Sequence, residues 1–335
     1  MRDKLRTELR AAVAPFEGPE LLPGLGQIAT SLGLYLVTLG TMYWLFGVHP
    51  ALALILAAPA AALLVRVFIV QHDCGHGSYL KSRRANDNLG RICAMLTLVP
   101  YEFWRKHHNA HHANWNNLDK QGSVADVYTV CLSIEEYRAL SPWRRFLYRF
   151  PRHPLIAYFV IPPLAFLVLY RTPFDTPKTW TRERRAVWMN NIAIAVCWAA
   201  QIWLFGWLAF VTVQLSIVML ASVLGFWLFS VQHRFENARW MRGGEWTHVD
   251  AAMAGSSYLA LPRILHWLTG NIGFHHIHHL SPRVPNYRLA DCYKSSNLLR
   301  PAEPLSLGRA LASSNLVLWD EVQQKLIRFR DLPAV

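Results

Sequence analysis

The chain has 335 residues, 53% of them hydrophobic and only 16% charged, with 14 Trp and a formal net charge of +13. That is too apolar and charge-poor for an average soluble domain, so an integral membrane protein is the first expectation. The basic residues flank hydrophobic stretches, which points to anionic lipid headgroups or an acidic soluble partner and away from nucleic acid.

The N-terminal stretch "MRDKLRTELRAAVAPFEGPE" is charged and mixed in sign, unlike a cleavable signal peptide. "GLGQIA" (24–29) matches a loose G-x-G-x-x-A, but no strand precedes it, so it reads as a turn leading into the membrane and not as a dinucleotide site. Residues 21–65 and 186–233 carry no Lys, Arg, Asp or Glu. Each run is long enough for two crossings of about 20 residues. Residues 28–46 and 51–70 are expected to form one helical hairpin, and residues 188–205 and 207–230 another. Their short turns "GVHP" and "GW" are uncharged, so the Lys and Arg fall on one side. By the positive-inside bias that side is the cytoplasm, and both termini lie there.

The segment 155–170 is apolar but interrupted by Pro162 and Pro163 and flanked by basic residues, so it is expected to be re-entrant or in-plane. Residues 91–100 are too short to span. From Leu316 onward, Leu316, Trp319, Val322, Leu326 and Phe329 sit near helical spacing and predict an amphipathic cytosolic helix. The fold class is therefore all-α, with four transmembrane helices in two hairpins and a cytosolic helical cap. It is one domain over 1–335, divided into a first hairpin (28–70), a cytosolic region (71–187), a second hairpin (188–230) and a cytosolic region (231–335). Five scattered cysteines without CxxC spacing suggest neither a disulfide framework nor a zinc ribbon.

Ten of the fifteen histidines fall in three clusters: His72 and His76 in "QHDCGHGS", His107, His108, His111 and His112 in "WRKHHNAHHANW", and His275, His276, His278 and His279 in "NIGFHHIHHL". The spacings H-x-x-x-H and H-x-x-H-H place imidazoles on one helix face. His72 and His76 follow the second span directly, and His233 follows the fourth, so two hairpins deliver histidines at one membrane depth. So many imidazoles would repel one another if protonated, whereas neutral imidazole is a metal ligand. One tetrahedral zinc takes about four ligands, so the excess suggests two metals, and imidazole suits iron, copper, nickel or zinc. The H-x-x-H-H register leaves His107 and His276 outside. Asp73, Glu236 and Asp250 are candidates to orient ligating imidazoles. Asn271 and Gln232 are candidates to contact a metal-bound water. Lone histidines such as His49, His153 and His248 are expected to play ordinary hydrogen-bonding roles.

In these boxes the chain resembles the membrane-bound fatty acid desaturases, particularly bacterial acyl-lipid desaturases. The matching elements are "HDCGH" (72–76), WRxxHxxHH (104–112), QHxFE (232–236) and NIGFHHxHHLSPxxPNY (271–287), in order and topology from about residue 30 to residue 290. The resemblance implies a di-iron centre that uses O2 and two electrons to remove two hydrogens from adjacent acyl carbons. It implies ligand roles for His72, His76, His108, His111, His112, His275, His278 and His279, and by position for His233. No catalytic residue beyond the metal centre and no organic cofactor site is expected. One departure is "HHANWNN" (111–117), where many relatives carry a threonine, and this bears on substrate detail.

Lacking a ferredoxin-type cysteine run or a fused haem module, the enzyme is expected to use an external donor, ferredoxin-like or cytochrome b5-like, with its reductase. The clusters "KSRR" (81–84), "WRRFLYR" (143–149) and "RERR" (182–185) could dock an acidic donor or anchor the cytosolic leaflet. A membrane lipid or another acyl chain, preferably lipid-linked, is the expected substrate, and the bacterial inner membrane the expected location. A related hydroxylase or carotenoid ketolase would share the metal chemistry. A histidine-rich metal transporter would instead need ionisable residues inside its spans.

Overall fold

The computed structural model describes residues 2–121, 130–300 and 303–333, and these are mainly helical. Four helices are long and apolar enough to cross a membrane: Leu21–Val48, Ala57–His76, Thr181–Phe205 and Trp207–His233. Their boundaries follow from local chemistry. The first span ends where His49 turns extended, and its side chain caps the next helix by accepting from the Ala51 amide at 3.2 Å. Pro59 has no N–H for the carbonyl four residues back, and helix Pro50–Ile55 stops there before Ala57–His76 begins. Between the third and fourth spans the whole connection is Gly206, at φ +83°, a backbone region that side chains strain to enter.

Two expectations are corrected at the ends of the chain. "GLGQIA" is not a turn, because Leu21–Ile28 is helical and runs into a π-turn at Ala29–Gly33. This helix is tied to the loop after the second span, where the Tyr79 hydroxyl donates to the Gly24 carbonyl at 2.9 Å. At the other end, Leu318–Asp320 and Lys325–Ile327 pair as an antiparallel ribbon, and Leu132–Ser133 adds in parallel to Leu318–Trp319. Asp320 Oδ1 accepts from the amides of Val322 and Gln323 at 2.9 Å each, a local bond that competes with helix and favours a turn. Val322, placed by helical spacing on the buried face, is 90% exposed. The all-α expectation thus holds for the bulk of the chain and fails for these short ribbons, which include a second parallel pair, Leu259–Ala260 with Leu305–Ser306.

Residues 91–100 lie mostly in helix Arg83–Thr97, which starts on the Ser82 cap and buries Asn86, Gly90, Cys93, Ala94 and Thr97 along one face. The bend in this region falls ahead of the double proline: Pro142–Arg152 and Ile156–Arg171 meet at 56° across residues 153–155, the form of a broken span or a re-entrant loop, while Pro162 and Pro163 sit in the first turn of helix Ile161–Leu167. Core packing gathers around the second span, which is flanked by the first and fourth spans and by helix Tyr101–Asn114. The helix that carries the first histidine box is therefore central to the fold.

Candidate metal centre

His72 and His76 occupy successive turns at the end of the second span. That helix stops on Gly77 at φ +73°, a left-handed cap suited to glycine. Helix Tyr101–Asn114 presents His108, His111 and His112, and it can approach closely because a Cβ on Gly75 would meet the Trp104 ring at 2.9 Å. His233 is the last residue of the fourth span, and His275, His278 and His279 lie on the short buried helix His275–Leu280.

These four sources converge in two knots. The side-chain nitrogens of His72, His76, His108, His112 and His278 lie within 4.8 Å of one another, as do those of His111, His233 and His279. His275 joins the second knot, its Nε2 lying 2.9 Å from that of His233 and 3.1 Å from that of His279. In the first knot the Nε2 atoms of His72 and His108, His108 and His112, and His112 and His278 approach to 3.0, 3.1 and 3.0 Å. The knots touch through the His112 and His279 rings, stacked 4.2 Å apart.

Burial, and secondarily the neighbouring imidazoles, hold His108, His112, His275, His278 and His279 well below the ordinary histidine pKa. They are neutral at physiological pH and have lone pairs to offer. The His72 Nδ1–H donates to Asp73 Oδ1 at 2.9 Å, which leaves the His72 Nε2 lone pair directed into the first knot. Facing lone pairs at 3 Å are satisfied by a cation, so the donor set fits two bound metal ions.

Asp73, 1% exposed, also accepts from the Asn286 backbone N–H at 2.6 Å and side-chain Nδ2 at 2.8 Å. Asn286 Oδ1 in turn accepts from Gln27 Nε2 at 2.6 Å. Neither Asn286 nor Gln27 was singled out in the sequence. The one signal for Gln27 is its place as a polar residue in a charge-free stretch. Aromatic walls were also missed: Trp104 stacks on His108 at 4.4 Å, Trp115 lies 4.0 Å from His233, and Phe229 lies 5.4 Å from His111.

The other candidates point elsewhere. His276 is buried with its Nε2 2.8 Å from the Leu299 carbonyl, and His107 packs against Phe103 and Trp180. Gln232 donates to the Ile272 carbonyl at 2.9 Å, and Asn271 to the Asn286 carbonyl at 3.3 Å. Asp250 binds Arg6 and Thr247, each at 2.8 Å, and Glu236 is exposed at a surface cavity.

The fatty acid desaturase family model matches residues 32–304. The chain belongs to the fatty acid desaturase family. A fatty acid desaturase of Bacillus subtilis (strain 168) is 38% identical, covering 98% of this chain and 92% of the relative. An sn-1 acyl-lipid omega-3 desaturase (ferredoxin) of Synechocystis is 30% identical over 93% of this chain and 84% of its own length. An acyl-lipid omega-3 desaturase (cytochrome b5) of Arabidopsis thaliana is 28% identical over 71% of this chain and 62% of its own. This desaturase is accordingly a membrane oxidoreductase that introduces double bonds into acyl chains, and it works with an electron donor.

Proposed function

We propose that this desaturase holds two irons, one ligated by His72, His76, His108, His112 and His278 and the other by His111, His233, His275 and His279. The observation that carries the reading is the convergence of nine imidazoles, eight of them buried, from two spans and two cap helices. When bound, the irons supply the oxidising power that, with O2 and two electrons, removes two hydrogens from adjacent carbons lacking any polar handle. The chain's own residues do the rest. Asp73 fixes the His72 tautomer, Trp104, Trp115 and Phe229 wall the centre with rings, and burial excludes water. Asn271, Gln232 and Glu236 are given no role at the metals in this reading: the Asn271 and Gln232 side-chain amides donate to the Asn286 and Ile272 carbonyls, and Glu236 is exposed.

In this reading the four spans form two hairpins, and the boxes, the cap and both termini lie on the cytoplasmic side of a bacterial inner membrane. That orientation rests on the charge-free interiors and the basic flanks. The substrate is an acyl chain whose head stays in the headgroup layer, supported by the acyl-lipid relatives and by the boxes following the spans directly. Purified enzyme and reductant supplied in parallel with phospholipid, acyl-CoA and acyl-carrier protein test the substrate. Conversion of phospholipid is expected, and conversion of a soluble thioester alone would contradict it.

A further inference from the structure

Resting on the di-iron reading, the charge distribution assigns a docking face for the electron donor. Two basic clusters a hundred residues apart, 81–84 and 182–185, meet at one carboxylate. Asp87 takes Arg105 at 2.6 Å, Arg182 at 3.7 Å and Arg83 at 3.9 Å, and the side chains of Arg83 and Arg182 remain 72% and 59% exposed. Two further contacts stitch the face: Arg91 reaches Glu102 at 2.6 Å and Lys106 reaches Glu183 at 3.3 Å. Stretches 81–106 and 182–185 together hold nine Lys and Arg against three carboxylates, so the face keeps a strong positive excess after its internal pairing.

This face backs onto the metal centre. Arg105 and Lys106 belong to the same helix as His108, His111 and His112. The Lys106 ammonium sits 4.0 Å over the Trp180 ring, and Trp180 lies 5.4 Å from His107, the chain neighbour of His108. The third cluster, 143–149, is built differently. Its helix exposes Trp143, Phe146 and Leu147 as an apolar face, while Arg145 binds the Leu140 carbonyl and Arg149 lies over Phe329. That pattern suits a lipid surface.

We propose that an acidic one-electron carrier protein docks on the Asp87-centred face, steered by the surplus cations. Each encounter oxidises the carrier by one electron and reduces the centre by one. Two encounters supply the two electrons that, with O2, two protons and the two acyl hydrogens, leave a double bond and two waters. The test uses the full chain in zwitterionic nanodiscs, with either reduced ferredoxin or reduced cytochrome b5 as carrier and, as a control that needs no docking, protein prereduced with dithionite under argon, desalted and then given O2 for a single turnover. In the Arg83→Gln/Arg182→Gln protein, kcat/KM for the carrier is expected to fall roughly ten-fold at low ionic strength, mainly through KM, with the gap closing at high salt. The single turnover after prereduction and the iron content are expected to stay at wild-type level, and Arg144→Gln/Arg149→Gln is expected to leave carrier kinetics unchanged. Wild-type carrier kinetics in the first variant, loss in the second instead, or equal loss after prereduction would each overturn the docking face. A wild type that makes no product even after prereduction would bring down the di-iron reading and, with it, this proposal.

Discussion

Asp73 is the residue through which the metal centre is tied to the rest of the chain, since one carboxylate serves His72 and both donors of Asn286. Asp73→Ala frees the His72 ring and leaves buried donors unpaired, so iron retention in a chelator competition is expected to weaken roughly 10- to 100-fold. Retention at wild-type level would remove Asp73 from the site. His278→Ala is expected to abolish turnover and lower the iron content. His276→Ala should keep the iron and lose only stability, because its ring bonds the Leu299 carbonyl and no other imidazole; equal iron loss in both would contradict that separation. The boxes were legible because histidines three and four apart on one helix leave their mark in a short stretch of sequence. Gln27 and Asn286 were not, because their contact joins residues 259 positions apart. Glu236 and Asp250 show the converse error: closeness to a histidine along the chain does not place a carboxylate beside it in space.

Elements were legible where one physical requirement dominates. Charge-free runs marked the four helices that are long and apolar enough to cross a membrane. The turn at Gly206 needs a positive φ, so Gly206→Val is expected to cost about 1–3 kcal/mol in thermal unfolding in detergent. An unchanged transition would show that the turn relaxes without strain. The C-terminal tail misled because Leu316, Trp319 and Val322 fit a helix on paper, whereas Asp320 bonds its own turn and Leu318 pairs with Ile327. The ribbon makes a sharp distinction: Trp319, 1% exposed, is expected to cost about 3–5 kcal/mol on change to Ala, while Val322→Ala should be near neutral. A comparable loss at Val322 would favour the helix instead.

At the scale of the whole molecule, the clustered imidazoles lie where two long apolar helices meet two shorter ones, and their burial makes stability depend on pH. In the folded protein the pKa values of His108, His112, His275, His278 and His279 are depressed below the unfolded value of about 6.5. The unfolded chain therefore binds more protons, and stability is present above about pH 6.5 and lost as pH falls below it. His276, pushed down to about 4 by burial, adds to the same trend. Metal-free protein is thus expected to show a transition temperature that drops steeply between pH 7.5 and 5.5, and a flat profile would mean that these rings are solvated or already charged. Whether the knots hold iron is decided most directly by elemental analysis of protein purified without added metal. About two irons per chain, falling in His278→Ala and unchanged in His276→Ala, is the expected result. Loosely held zinc, or a single metal indifferent to His278, would contradict the di-iron centre.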